Sequence, residues 1–212
     1  MLRLSLMLCL ALWLPVALAA NEVPASVMVE SPELAAIAAR LARDEPVRSR
    51  FRQTKAMRLL SRPLVSEGEM IFDRALGLYW HIETPFASTL LMNNEQVVQL
   101  NGSQKSVVTA AQQPVAFGFA KVFFQVLSGD LNGLQQEFSV SLAPMADAWQ
   151  ITLVPKEAQL RAVLSQIVID GVDDINQVTM TDQAGDTTTI DFFDQRPGAG
   201  ALTDQERALY AF

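Results

Sequence analysis

Apolar and polar residues alternate with period two over two neighbouring stretches, Gly68 to Arg74 and Leu78 to Glu83. In the first, Gly68, Met70, Phe72 and Arg74 share one face, and Glu69, Ile71 and Asp73 the other. In the second, Leu78, Trp80 and Ile82 oppose Tyr79, His81 and Glu83. Successive strand residues point to opposite sides of a sheet, so both stretches predict strands with one largely apolar face. Ala75-Leu76-Gly77 is the turn between them. Arg74, by parity, puts a permanent cation at the end of the apolar face.

Short strands of this kind fill most of the chain. Before the pair come a helix over Ser31 to Asp44 and a strand over Arg50 to Leu60. The helix has Ser31 as N-cap, Pro32 at its first position and an apolar stripe of Leu34, Ile37, Ala38 and Leu41. The strand has no cleanly apolar face. The pair itself predicts strands over Leu64 to Arg74 and Leu78 to Glu83, and Thr84-Pro85 then breaks the ladder. Ser88 to Met92, Gln96 to Leu100 and Lys105 to Ala110 follow as strands, with turn signals at Asn93-Asn94 and Asn101-Gly102. Val115 to Leu127 is apolar nearly all round and predicts a helix, with a short helix at Leu131 to Gln135. The second half predicts strands over Glu137 to Leu142, Trp149 to Val154, Val163 to Asp170, Gln177 to Thr181 and Thr187 to Phe193. Lys156 to Leu160 reads as one helical turn, and Leu202 to Phe212 as a polar-apolar tail with another. About eleven antiparallel strands with no crossover helices must curl to protect their core and edges. The expected fold is mainly β with some α: a half-open antiparallel β-barrel covered by a helical lid, forming one domain over residues 21–212.

Residues 1–20 stand apart. Arg3 precedes an apolar run from Leu4 to Leu14, and Ala17-Leu18-Ala19 is a small-residue cleavage pattern. This is the pattern of a secretory signal peptide, and the run is short for a membrane span. Cys9, the one cysteine, leaves with it, so the exported chain has no disulfide and no thiolate site. Loss of Arg3 also moves the net charge from −7 to −8. An acidic chain without a Lys/Arg cluster that would track phosphates argues against nucleic acid, and its net charge disfavours tight adsorption to anionic lipid. The expected compartment is the bacterial periplasm.

Candidate catalytic chemistry is sparse. His81 is the sole histidine and falls on the polar face of its strand, without the nucleophile and orienting partner of a relay. Asp170, Asp173, Asp174, Asp182 and Asp186 fall in hairpin turns, where aspartate supplies turn conformations rather than a regular calcium loop. No enzyme, metal or cofactor is expected. What remains is apolar surface. Phe117, Phe119, Phe123 and Phe124 cannot all pack on one side of a helix, and the sheet brings Met70, Phe72, Leu78, Trp80, Ile82, Leu90 and Met92 to meet them. Two readings stay open: a packed core, or a cavity shaped for an apolar ligand such as acyl chains.

Phe51-x-Gln53, then Gly68, Met70, Phe72 and Arg74 with Trp80 six residues on, then Thr84-Pro85-Phe86, resemble the LolA family of periplasmic outer-membrane lipoprotein carriers. The later Asp182, Gly185, Asp186, Thr188, Ile190 and Phe192 are similar to that family's C-terminal hairpin. The resemblance implies a half-open barrel that shields the acyl chains of a lipoprotein between an inner-membrane exporter and an outer-membrane acceptor. It implies a monomer in a Gram-negative periplasm, exported by the Sec route. It also implies a role for Arg74 as a latch, facing inward and hydrogen-bonded to the lid. Arginine suits this because it stays charged and offers donors in a fixed fork. Ala75 stands where the family usually has proline, and Asp73 where a basic residue is common. Those departures leave the cargo open between lipoproteins and another amphiphile of envelope biosynthesis, such as a glycolipid or lipid-linked pigment. A solidly packed structural or interaction module is the alternative from another class.

Overall fold

A computed structural model describes residues 32–42, 44, 46–93, 96–102, 104–109, 121–122, 124–145, 147–196 and 199–210. The expected signal segment and Phe117, Phe119 and Phe123 lie outside these residues.

Eleven antiparallel strands form one sheet. They are β1 (Val47–Ala56), β2 (Leu64–Asp73), β3 (Gly77–Thr84), β4 (Ser88–Met92), β5 (Gln96–Asn101), β6 (Gln104–Thr109), β7 (Phe138–Pro144), β8 (Trp149–Pro155), β9 (Leu164–Gly171), β10 (Ile175–Asp182) and β11 (Thr187–Arg196). The spatial order is β6-β5-β4-β3-β2-β1-β11-β10-β9-β8-β7. Two meanders are therefore joined by a single long-range pairing, β1 with β11, which aligns Phe51 with Phe192 and Gln53 with Ile190. The edges β6 and β7 do not pair, so the sheet curls without closing. Helices among the described residues are α1 (Pro32–Leu41), α2 (Leu131–Glu137), α3 (Ala158–Arg161) and α4 (Asp204–Leu209). Residues 121–122 and 124–127 are also helical.

All eleven strands occur where the period-two pattern places them, with shifted ends. β1 starts at Val47 and stops at Ala56, earlier at both ends than the expected Arg50 to Leu60. The amide of Leu60 bonds the carbonyl of Met57 in a turn, and the amide of Arg58 bonds the Asp186 carboxylate at 2.9 Å. The backbone at 57–60 is spent on the turn. Likewise β2 ends at Asp73, not Arg74. The Asp73 carboxylate accepts the amides of Ala75 and Leu76, each at 2.9 Å, and so closes an Asx-type turn. Gly77, at φ +113° and with no Cβ to meet the Met92 carbonyl, begins β3.

The inner face carries the main core. Phe51, Met70, Phe72, Leu78, Trp80, Met92, Phe192, Ile190 and Val178 pack with Ile151, Leu153, Ile167 and Ile169 across the sheet. Leu34, Ile37 and Leu41 of α1, with Val122, Val126 and Leu127, seal it from above.

The outer face corrects an expectation. Ile71 and Tyr79 are not solvent-facing but buried with Leu91, Val98, Leu202 and Tyr210 in a second cluster. The C-terminal segment is a strap rather than a tail. Tyr210 donates its hydroxyl to the Ile71 carbonyl at 2.7 Å. Thr203 and Glu206 form a capping box at the start of α4, a signature present in the sequence as Thr-x-x-Glu. Glu206 also receives Arg48 in a fork, with Nε at 2.6 Å and Nη2 at 2.9 Å. That pair and the capping bonds hold the Glu206 carboxyl down at about 2.

Candidate ligand-binding site

The inner face near α1 is built from cross-strand neighbours. Met70 pairs with Trp80, Phe72 with Leu78, Leu78 with Met92 and Trp80 with Leu90. Gly68 lies opposite both Phe51 and Ile82. It contributes no side chain, and a Cβ there would sit 1.8 Å from the His81 carbonyl oxygen. Phe51 and Trp80 meet over this gap as stacked rings, 3.7 Å between centroids and 23° between planes. Phe192 meets Trp80 edge-on at 6.2 Å, and Phe124 meets Phe72 edge-on at 5.2 Å. Aromatic pairs of this kind add about 0.5–1.5 kcal/mol beyond the area they bury.

All seven strand residues expected to line a cavity therefore do share the inner face, but they are not equally covered. Met70, Phe72, Leu78, Trp80 and Met92 are buried against the helices, whereas Ile82 and Leu90 are half-buried. A pocket of about 20 Å³ is lined by Leu41, Val47, Met70, Leu127, Ile175 and Phe192, with Asp174 and Gln195. That is room for a water molecule and not for an acyl chain.

Arg74 departs from its expected place. It is exposed in the β2–β3 turn instead of facing inward from the strand, because Asp73 has already closed the turn. Its guanidinium nonetheless reaches the helical segment and donates to the Ser128 carbonyl. Residues 124–127 end there: the Ser128 amide bonds Phe124 and the Gly129 amide bonds Val126. A cation at such an end also meets the negative pole of the helix. Gly129, at φ +69°, lies against the end of α1. A Cβ on it would lie 2.6 Å from the Ala38 carbonyl and 2.8 Å from the Ala42 nitrogen. Arg74 thus ties the tip of one hairpin to the residue beside which α1 packs. At its far side α1 is tied again, Arg40 donating to the Val172 carbonyl at 2.9 Å.

The Asp73 and Ala75 departures explain each other. The Ala75 amide is a donor to Asp73, and proline at 75 would have none to give. The polar residues considered for catalysis have structural partners. His81 Nδ1 lies 2.8 Å from the Thr89 hydroxyl, Asp170 accepts Gln150, and Asp182 accepts the Asp186 amide. Among the described residues no cluster of three or more His, Cys, Asp or Glu side chains is arranged to hold a metal.

The family model of the outer membrane lipoprotein carrier protein LolA matches residues 45–204, from just before β1 to the first residue of α4. The chain belongs to the LolA family. The matched span holds the complete sheet and Arg74, and it leaves α1 outside. No curated protein matches the sequence. A LolA superfamily protein from Nitrosomonas europaea is similar at 10% identity and TM-score 0.45, covering 81% of this chain and 96% of that one. A DUF1329 family protein from Desulfovibrio piger is similar at 11% identity and TM-score 0.48, covering 84% and 96%.

Proposed function

We propose that this protein is a non-enzymatic periplasmic carrier that shields the acyl chains of lipoproteins between an inner-membrane exporter and an outer-membrane acceptor. The observation that carries the reading is the construction of the inner face. A continuous apolar and aromatic sheet surface is covered by helices that touch it through side chains, not through backbone pairing. Such a cover can lift without breaking the sheet, and an acyl chain would then replace α1 on the same residues. In this reading Arg74 is the latch, acting through the Ser128 carbonyl. Membership of the LolA family supports the cargo class. The altered turn at Asp73 and Ala75 keeps a second amphiphile, a glycolipid or lipid-linked pigment, as the alternative cargo. The test is lipid extraction from protein purified out of a periplasm, read by mass spectrometry, together with titration by a fluorescent fatty-acyl probe. An acylated peptide supports the proposal and a free glycolipid favours the alternative. Absence of saturable probe binding to folded protein makes the inner face a plain core.

A further inference from the structure

We infer that the β1–β2 hairpin tip is a docking surface for an anionic phospholipid bilayer. Residues 55–65, Lys-Ala-Met-Arg-Leu-Leu-Ser-Arg-Pro-Leu-Val, carry three basic and no acidic side chains in a chain whose net charge is −7. Their apolar side chains face water: Leu59 is 90% exposed, Leu64 56%, Val65 46% and Leu60 44%. Phe86, 83% exposed, belongs to the same end of the sheet. Glu67 pairs with Thr84, so the β3–β4 turn lies beside the start of β2. Lys105 lies at this end too, paired with Leu100 next to the β5–β6 turn.

The hairpin is held out in this form. The Arg58 guanidinium donates to the Ala184 carbonyl at 2.8 Å and its amide to Asp186 at 2.9 Å. The adjacent β10–β11 turn therefore braces the tip, and its two carboxylates are engaged within that brace, Asp182 on the Asp186 amide. Leu59 and Leu60 stand at the crest, flanked by Lys55, Arg58 and Arg62. Leucines and a phenylalanine ringed by basic groups fit the boundary between headgroups and acyl chains, where apolar burial and attraction to anionic lipid add. Exposed apolar side chains gathered at one end mark an interaction surface, whereas single ones scattered over a surface do not. The sign of the charge selects the partner. An acidic body repelled by an anionic leaflet presents this basic apolar tip to it. No helix among the described residues is long and apolar enough to cross a membrane.

The tip also continues into the inner face. Leu64 has the parity of Met70 and Phe72, and behind it Ile82 and Leu90 are half-buried while Phe51 is fully covered. Docking by this end would bring the tip end of the inner face to the bilayer surface. The inference does not depend on the cargo, because vesicle binding is measured on the empty protein.

The experiment exploits the cysteine count. Once residues 1–20 and Cys9 are gone the exported chain has no cysteine, so Leu59→Cys, and Ala75→Cys at the opposite end, each take one environment-sensitive dye. Both are mixed with vesicles of phosphatidylglycerol and phosphatidylethanolamine, or of phosphatidylcholine alone. The expected result is a blue shift at position 59 only, with anionic vesicles only, weakening as salt is raised. In unlabelled protein, Arg62→Glu lowers vesicle partitioning by roughly fivefold or more, the worth of one basic residue near such a surface. Leu59→Ser lowers it by about tenfold, the low end for withdrawing a leucine from an apolar phase. The inference is overturned by no partitioning, by equal shifts at 59 and 75, or by partitioning that survives both substitutions. A blue shift that grows with protein concentration in the absence of vesicles would also overturn it and make the tip a self-association surface.

Discussion

Replacing Glu206 by Gln removes one charge from the outer-face strap and leaves its shape. Glu206 and Arg48 are well covered, with 21% and 12% of their side chains exposed. Arg48 in addition donates to the carbonyls of Gly200 at 3.3 Å and Ala201 at 3.2 Å. The carboxyl titrates at about 2 in place of its usual 4.5, chiefly through the bond from Arg48. At 1.36 kcal/mol per pH unit the depression is worth roughly 3 kcal/mol at most. Residual solvent contact and the surviving amide bonds of glutamine bring the expected loss to about 2 kcal/mol. The sign follows from the depressed value. The stabilisation is complete above about pH 4.5 and drains away as the pH falls towards 2. For a chain of this size about 2 kcal/mol lowers Tm by roughly 4–8 °C. Thermal melts of parent and Glu206→Gln at pH 7, 5, 3.5 and 2.5 should show that gap at the two higher values, about half-closed at pH 3.5 and about three-quarters closed at pH 2.5. Limited trypsinolysis at Arg207 separates local release of the strap from global unfolding. Coincident melts at pH 7, or a gap that is undiminished at pH 2.5, refute the assignment of this stability to the ion pair.

The remaining predictions concern the inner face and its ties. Arg74→Leu should lower Tm by no more than about 2–4 °C, and hydrogen exchange at residues 124–129 should quicken about fivefold, as expected for losing a bond worth roughly 1 kcal/mol; unchanged exchange removes the latch. Ala75→Pro, which restores the family's usual residue, should lower Tm by about 2–4 °C because the bond to Asp73 is lost, and a rise in Tm contradicts the turn geometry. Trp80→Ala should cost about 3–5 kcal/mol in urea unfolding, since it empties the ring between Phe51 and Phe192. Gly68→Ala adds only one methyl, yet it should cost at least about 1–3 kcal/mol because the β3 backbone stands in its way; a neutral result means the two strands can move apart at that point.

Strand positions were legible because burial on one face forces period two, and a one-residue slip would turn every side chain over. Strand ends were not, because side chains from elsewhere decide them. β1 stops where Asp186, far along the chain, takes the Arg58 amide, and β2 stops where Asp73 takes two amides. That second contact is local, and the aspartate two residues before Ala75 was a readable turn signal that the parity of Arg74 overrode. Reading one apolar face per strand hid the second core, although Ile71, Tyr79, Leu91 and Val98 all share the other parity. Their cover comes from the far end of the chain, whose Thr203-x-x-Glu206 capping box was the available clue. Arg48 could not have been singled out, since its partner is set by the β1–β11 pairing. The seven inner-face residues were legible as sharing one face because face membership is a local property. How deeply each is covered depends on α1, and that is not local.

The two faces of the sheet are closed by devices of different strength, and the difference bears on which can open. On the outer face, a covered fork between Arg48 and Glu206 and a buried bond from Tyr210 hold the strap. On the inner face, Arg74 is exposed, and the ion pair of Arg40 with Asp173 spans 3.7 Å with 46% and 86% of the side chains exposed. Surface pairs of that kind contribute about 1 kcal/mol or less. What holds α1 down is therefore the burial of Leu34, Ile37 and Leu41, at about 1.5–3 kcal/mol each. Lifting the helix costs roughly 5–9 kcal/mol, too much for frequent spontaneous opening. Burial of a methylene returns about 0.8 kcal/mol, so an acyl chain of about ten carbons laid on the same sheet face offsets the whole of that cost. In the proposed carrier the helix would be displaced by a ligand of its own chemistry, while the ionic strap behind the sheet would keep the strands in register.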